Sequence, residues 1–234
     1  MIKVIKAVFF DLFQTLVRYE PPREELQARA LGDFGIKVAP ETLLRPLAVA
    51  DEYIYEEIAR LSLSRRSKEE QMAVWVGYES RLLAEAGIEA DKPVVLGLLD
   101  KMRGFDMHMV LYDDVLPALT DLKERGLRLG LISNFDQDIT ALFDKLGLSP
   151  LLEVVVTSRD TGYNKPHPEI FKAALQRAGV DAAEAAYVGD QYRVDVEGAN
   201  GVGMKGILLD RNGYYPEMTG SPRLQSLAQV VEYL

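Results

Sequence analysis

The sequence predicts an α/β fold in which helices flank a parallel sheet in three layers and a helical bundle is inserted into the chain. Short β-branched and aromatic runs recur, and amphipathic segments that stop at a glycine separate them. A third observation is a long N-terminal stretch, residues 19–109, with helical patterns and no convincing strand. Steady alternation of strand and helix favours a parallel sheet with right-handed crossovers.

The predicted strands are buried on both faces, because their runs are apolar throughout instead of alternating. They are Val4–Phe10, Leu127–Ile132, Glu153–Thr157, Ala185–Val188 and Lys205–Leu209. The helices predicted between them are Val115–Arg125, Asp138–Leu146, Pro168–Ala178 and Asp195–Asn200.

The chain is predicted to form two domains. Residues 1–18 and 110–234 make an α/β core domain, and residues 19–109 make a helical cap domain. The helices predicted in the cap are Glu24–Phe34, Pro40–Ser62, Lys68–Glu85 and Pro93–Met102.

Composition excludes several classes of function. Thirty-six acidic residues against 27 basic ones give a net charge of -9, which repels nucleic-acid backbones. The absence of cysteine excludes disulfides, thiolate metal sites and cysteine nucleophiles. No apolar run is long enough to span a membrane or resembles a signal peptide. We expect a cytoplasmic monomer or homodimer that binds neither nucleic acid nor membrane.

Polar residues follow the predicted strands, and ligands of open parallel sheets bind at the carboxyl ends of strands. Asp11 follows the first strand and Ser133 the second, while Asp190 and Asp195 follow the fourth. A desolvated carboxylate such as Asp11 can act as a nucleophile, although a turn-capping role is the commoner one. Paired acids such as Asp190 and Asp195 favour Mg²⁺; Asp195 could instead cap a helix, but the Gly189-Asp190 pair after a buried strand makes this alternative weaker. Lys165 is followed by Pro166 and Pro168, which stiffen the backbone, and it is suited to neutralising charge in a transition state.

In order and spacing, these residues resemble the haloacid dehalogenase superfamily of hydrolases. Its members carry D-x-D-x-T after the first strand, a Ser or Thr after the second, a lysine before a helix, and G-D followed by a second Asp. Asp11–Thr15, Ser133, Lys165 and Gly189–Asp195 match that order, and KPHPEIF is similar to the family's K-P-x-P-x-x-F. The likeness covers the α/β core, and the helical insert is similar to the C1 cap of subfamily IA.

The resemblance implies a Rossmann-like fold and a set of site residues. It implies Asp11, Ser133 and Lys165 as catalytic residues, and Mg²⁺ held by Asp11, Asp190, Asp195 and the backbone carbonyl of Phe13. Substrate-binding candidates are Thr15, Asn134, Phe13 and Arg18. Gln14, His167 and Tyr192 are weaker candidates for positioning water.

Position 13 departs from the family's phosphatases, which carry an acid–base Asp there, whereas this chain has Phe13. Three interpretations remain open. The protein is a Mg²⁺-dependent phosphatase that compensates for the missing acid, which the three carboxylates favour. It is a metal-independent 2-haloacid dehalogenase, whose halide leaves without a proton. Or it is a catalytically weak protein that binds a phosphorylated ligand. The expected substrate is a small phosphate ester or, under the second interpretation, a 2-haloacid.

Overall fold

The computed structural model describes residues 4–216 and 220–234 of the chain. It divides into two compact units, which we call the core unit and the helical unit. The core unit consists of Met1–Arg18 and Val110–Leu234, and the helical unit is Tyr19–Met109.

The strands follow one another along the chain with helices between most of them. In chain order they are β1 (Ala7–Phe10), β2 (Val17–Glu20), β3 (His108–Leu111), β4 (Arg128–Ser133), β5 (Val154–Thr157), β6 (Ala185–Gly189), β7 (Lys205–Leu209) and β8 (Arg223–Leu224). The α-helices are α1 (Arg23–Gly32), α2 (Leu44–Arg60), α3 (Lys68–Glu85), α4 (Lys92–Gly104), α5 (Val115–Glu124), α6 (Thr140–Leu146), α7 (Ser158–Thr161), α8 (Pro168–Ala178) and α9 (Glu197–Gly201).

Six strands of the core unit form one sheet in the order β5-β4-β1-β6-β7-β8, and the pairs are parallel. β1 is therefore central, with β4 on one side and β6 on the other. All four residues of β1 are buried, as the uninterrupted apolar run predicts. The predicted fold class, a Rossmann-like α/β core with a parallel sheet, is confirmed.

One face of the sheet packs against α8. Phe9 and Tyr187 are fully buried there beside Phe171 of the helix. The spacing of Ile170, Phe171, Ala174 and Leu175 gives α8 its apolar stripe, and Gly179 ends the helix in the left-handed conformation. The packing against Phe171 holds the ring of Tyr187, whose hydroxyl contacts Lys165.

The helical unit has its own core. α1, α2, α3 and α4 bury a shared set of apolar side chains, among them Leu31, Leu43, Leu82 and Leu98. Ser67 begins α3 with a capping box to Glu70, and Asp91 caps α4 through the Val94 amide.

Most predicted elements are shifted by a few residues at one or both ends, and three differences from the prediction are larger. The first strand begins at Ala7 and not at Val4, which is 77% exposed and so belongs to no buried strand. The predicted helix Asp195–Asn200 is instead a π-helical turn, Tyr192–Val196, followed by α9. Residues 19–109 were predicted to lack strands, yet β2 and β3 each extend two residues into this range and form a separate two-stranded sheet. Pairing between segments so distant in sequence leaves no signal in either segment alone.

No helix in the described part of the chain is long and apolar enough to cross a membrane.

Candidate active site

The central strands bring the predicted residues together at one edge of the sheet. Asp11 directly follows β1, Ser133 ends β4, and Asp190 directly follows β6. Because β4 and β6 flank β1 in parallel, these residues lie side by side at the carboxyl ends of the strands. Asp11 and Ser133 are buried, and Asp190 is half-buried. This is the edge at which ligands bind in open parallel sheets.

Lys165 is the centre of the buried polar contacts at this edge. Its Nζ lies 2.6 Å from Asp11 Oδ1 and 2.7 Å from Asp195 Oδ1. Lys165 is only 2% exposed, so both contacts are shielded from water. Burial alone would lower the pKa of the ammonium, but the two carboxylates raise it above its usual value. The lysine is therefore charged when it contacts Asp11.

Asp11 has an unusual environment for a carboxylate. Burial raises its pKa to about 6, the neighbouring Asp195 adds to the rise, and Lys165 opposes it. The group is ionised at neutral pH and is poorly solvated, as a carboxylate nucleophile needs to be.

Asn134 fixes the backbone at Lys165. Its Oδ1 accepts a hydrogen bond from the Lys165 amide at 2.6 Å, and its Nδ2 donates to the Lys165 carbonyl at 3.1 Å. The sequence predicts Asn134 as a substrate-binding residue, and this reciprocal pair uses one N–H and one oxygen lone pair of its side-chain amide. In this structure Asn134 holds Lys165 in place.

Asp195 is placed by the π-helical turn and by Gly189. Its Oδ2 accepts a hydrogen bond from the Gln191 amide at 3.0 Å. A Cβ atom at position 189 would overlap the Asp195 carboxylate, so glycine is needed where the turn folds back over the end of β6. Gln191 also donates from its side chain to Asp190 Oδ2 at 2.6 Å. Both acids are thus oriented toward one region.

Asp11, Asp190 and Asp195 each offer a carboxylate oxygen, and these three oxygens lie within 4.8 Å of one another. Three carboxylates against the one positive charge of Lys165 leave this part of the site with a surplus of negative charge. Oxygen-only donors with this surplus fit a hard divalent cation such as Mg²⁺. The residues present therefore match the metal that the sequence implies.

The loop after Asp11 is held by residues from far along the chain. Arg211 donates to the Thr15 carbonyl at 2.8 Å and makes two contacts to Asp114, at 2.9 and 3.0 Å. Its guanidinium stacks 4.0 Å above the ring of Tyr112, whose hydroxyl donates to Gln14 Oε1 at 2.6 Å. Gln14 has a φ of 60°, a conformation that a non-glycine residue adopts at a cost. The network keeps this loop in shape.

Phe13 and Thr15 lie in that loop, whereas Arg18 and His167 lie outside it. Phe13 is half-buried and forms an isolated bridge with Val17. Thr15 is fully buried, and among the residues that the structure describes its hydroxyl has no hydrogen-bond partner. Arg18 lies in β2, which leads out of the loop. His167, a weaker candidate, is exposed and stacks on Tyr163 with 4.2 Å between ring centroids.

The sequence interpretation missed two groups. Tyr187 is fully buried in β6, and its hydroxyl lies 2.7 Å from Lys165 Nζ. In the sequence it resembles the apolar strand residues around it, but a buried tyrosine hydroxyl usually has a hydrogen-bond partner, and that was the available signal. The Arg211–Asp114 pair left no signal, because the two residues are far apart in sequence.

The chain is similar to known proteins in sequence and in fold. The family model described as haloacid dehalogenase-like hydrolase matches residues 5–203. The haloacid dehalogenase-like hydrolase domain-containing protein 3 of Mus musculus is 31% identical over 88% of this chain and 82% of its own. The glyceraldehyde 3-phosphate phosphatase of Methanopyrus kandleri is 30% identical over 92% of this chain and 88% of its own. Among solved structures, the 2-haloacid dehalogenase of Pseudomonas syringae pv. tomato is 26% identical, with a TM-score of 0.55 over 98% of this chain and 97% of its own.

Proposed function

Because the chain belongs to the haloacid dehalogenase-like hydrolases, we propose that it is a Mg²⁺-dependent phosphatase of a small phosphorylated metabolite, with Asp11 as the nucleophile. The observation that carries the proposal is the cluster of three carboxylates around the buried Lys165. A site that works without metal would bury this surplus of negative charge at a cost. The similarity to an enzyme named for glyceraldehyde 3-phosphate supports a small phosphate ester as the substrate class.

The proposed reaction has two steps. A carboxylate oxygen of Asp11 attacks phosphorus in line, and the bond from phosphorus to the leaving oxygen breaks with its electron pair, giving an aspartyl phosphate. Water then attacks the same phosphorus, the bond to the Asp11 oxygen breaks, and inorganic phosphate is released. Lys165 and Ser133 stabilise the charge that develops on the phosphoryl oxygens, with Thr15 and Arg18 as further substrate contacts.

Asp11, Asp190, Asp195 and the backbone carbonyl of Phe13 would hold the Mg²⁺. When bound, the ion supplies positive charge that offsets the surplus on the carboxylates and polarises the phosphoryl group.

Phe13 sets the expected substrate range. It cannot protonate a leaving oxygen or activate water, and a well-placed acid–base group contributes about 10²–10⁴-fold. The leaving oxygen must therefore take its proton from solvent. We expect activity to be highest on aryl and acyl phosphates, whose leaving groups need little protonation.

The decisive experiment compares wild type with Asp11→Asn on aryl and acyl phosphates, with Mg²⁺ and with EDTA. Asp210→Asn is the matched control, because Asp210 is also a buried carboxylate at the end of a strand but hydrogen-bonds to Tyr214, Tyr215 and Arg223. We expect phosphate release that needs Mg²⁺, is lost in Asp11→Asn and persists in Asp210→Asn. Hydrolysis retained by Asp11→Asn would reject the nucleophile assignment.

Phe13 also favours a second candidate, a metal-independent 2-haloacid dehalogenase, since a halide leaves without a proton. The 26% identity to the Pseudomonas enzyme is in line with it. Halide release from 2-haloacids that is unaffected by EDTA would establish this candidate in place of the phosphatase. Tight binding of phosphate esters with no release of either product would instead indicate the catalytically weak, ligand-binding protein.

A further inference from the structure

The ammonium of Lys165 has three N–H donors, and each has an acceptor. Two are the carboxylates of Asp11 and Asp195, at 2.6 and 2.7 Å, and the third is the hydroxyl of Tyr187 at 2.7 Å. The direction of the lysine side chain is therefore set by three contacts, of which only the tyrosine is uncharged.

The Tyr187 hydroxyl is itself fixed by the sheet. Because it accepts from a charged lysine, its single proton is directed elsewhere, to the Ile132 carbonyl at 3.0 Å or to Asp195 Oδ1 at 3.1 Å. Ile132 belongs to β4 and Tyr187 to β6, so this side chain reaches across the central strand between them. Its ring packs edge-on against Phe171 with 5.4 Å between centroids. The hydroxyl thus has a position that does not depend on any ligand.

We propose that Tyr187 is a positioning residue that keeps the Lys165 ammonium beside the reacting phosphoryl group throughout the reaction. This inference rests on the proposed phosphatase function. When Asp11 becomes an acyl phosphate, negative charge moves from its carboxylate to the phosphoryl oxygens, so the charges around the lysine are rearranged. Asp195 shares its charge with the cation that it helps to hold. The contact with Tyr187 is the one that these changes leave unaltered. It therefore keeps the Lys165 ammonium in one position while the charges around it change.

The test is the substitution Tyr187→Phe, which removes the hydroxyl and keeps the ring. Tyr78→Phe is the matched control, because Tyr78 is also a buried tyrosine whose hydroxyl contacts an aspartate, Asp51 at 3.2 Å, but in the helical unit. We expect Tyr187→Phe to lower kcat for an aryl phosphate roughly ten- to hundredfold, the range expected for one hydrogen bond to a charged group. KM should change less than about twofold, since the effect appears mainly as charge develops in the transition state.

Affinity for vanadate, which mimics the transition state of phosphoryl transfer, should fall in Tyr187→Phe by about the same factor as kcat. A merely structural role would lower the melting temperature of both variants and leave kcat and vanadate affinity in Tyr187→Phe equal to those of Tyr78→Phe. That result would overturn the proposal.

A second measurement is independent of turnover. The ¹⁵N-labelled lysine ammonium groups are observed by NMR, and the Lys165 signal is assigned by its loss in Lys165→Arg. We expect a signal protected from rapid proton exchange in wild type and in Tyr78→Phe, and its broadening or loss in Tyr187→Phe. An unchanged signal in Tyr187→Phe would contradict the inference even if no phosphate ester were hydrolysed. An inactive wild type with the expected change in signal would reject the phosphatase function and keep the positioning role of Tyr187.

Discussion

At the scale of single residues, position 13 is where this chain differs most from the phosphatases that it resembles. We predict that Phe13→Asp raises hydrolysis of alkyl phosphates more than that of aryl phosphates, by up to about 10²-fold, because only poor leaving groups need an acid. Phe13→Asn is the control, since it removes the ring and adds no acid. The measurement is kcat/KM for both ester classes in the three proteins. Equal gains in both variants would show that the ring obstructs the site and that no acid is missing.

Gly189 is a second residue whose identity matters. We predict that Gly189→Ala displaces the Asp195 carboxylate, because the added Cβ overlaps it, and so raises the Mg²⁺ concentration needed for half-maximal activity. An order of magnitude is expected, as for loss of a well-oriented ligand contact. Gly201→Ala is the control, because no atom lies within 4 Å of a Cβ built there. Identical metal dependence in both variants would mean that Asp195 is not a ligand.

The sequence was informative for residues that follow buried strands and much less so for residues that support them. Asp11 and Lys165 stand at recognisable spacings in the chain, and the structure places them 2.6 Å apart. Asn134 was recognised, but its hydrogen bonds go to the backbone of Lys165. Tyr187 was not recognised, because a strand residue shows its hydroxyl partner only once the neighbouring strands are in place.

At the scale of elements, helix ends that are set by local sequence could be predicted, and elements whose form depends on distant residues could not. α8 and α3 begin and end where the apolar spacing predicts, since their caps and periodicity are local in sequence. The sequence predicts a helix that begins at Asp195 and ends before Gly201, whereas the structure forms a π-helical turn from Tyr192 to Val196 first. The Asp195 carboxylate in this turn accepts from the Gln191 amide, a local contact, and from Lys165, which is a tertiary contact that the local sequence does not reveal.

The helical unit contains an acid whose environment sets a pH dependence of stability. Glu79 of α3 is 1% exposed and accepts a hydrogen bond from Gln27 of α1 at 2.5 Å. Burial raises its pKa to about 7, although the Gln27 contact opposes the rise. The pKa of Glu79 is 4.5 in the unfolded chain and about 7 in the folded protein. At pH values between the two, the folded protein therefore binds the proton more tightly than the unfolded chain does. This contribution to stability is therefore complete below pH 4.5 and is lost as the pH rises to about 7.

We predict that wild type loses about 2–3 kcal/mol of unfolding free energy between pH 5 and pH 8 through this group, as the size of the pKa shift implies, and that Glu79→Gln does not. Urea unfolding at both pH values measures it, with Glu69→Gln as the control because Glu69 is exposed in the first turn of the same helix. If the unfolding free energy of Glu79→Gln falls between pH 5 and pH 8 as much as that of wild type, Glu79 is not the source of the pH dependence.

At the scale of the whole molecule, contacts between distant parts of the chain complete the site. Arg211 follows β7 and contacts the loop after β1 through Thr15. Asp114 joins this network to the C-terminal segment, because it accepts hydrogen bonds from Ser226 and from the Leu227 amide at 2.7 and 2.9 Å. The shape of the loop beside the nucleophile thus depends on residues from the middle and the C-terminal part of the chain, which is why a motif search along the sequence cannot find them.

Charge has two separate effects on the stability of the whole chain. The protein has a net charge of -9, so any added salt reduces self-repulsion. The carboxylate cluster of Asp11, Asp190 and Asp195 adds a local surplus that only a bound cation can offset. We predict that Mg²⁺ at about a hundred times its dissociation constant raises the unfolding free energy by about 2.7 kcal/mol, the gain that mass action gives for one site. For a chain of this size that corresponds to a rise of roughly 5–10 °C in melting temperature.

The two effects are separated by matching ionic strength. Sodium chloride at the ionic strength of the magnesium sample screens the surface charge but does not fill the site. Asp190→Asn has one charge fewer in the cluster and should lose most of the response to Mg²⁺ while keeping the response to sodium chloride. Calorimetry on both proteins in both salts gives the four melting temperatures. An equal rise in both salts would assign the stabilisation to screening of the net charge, and the cluster would then not be a metal site.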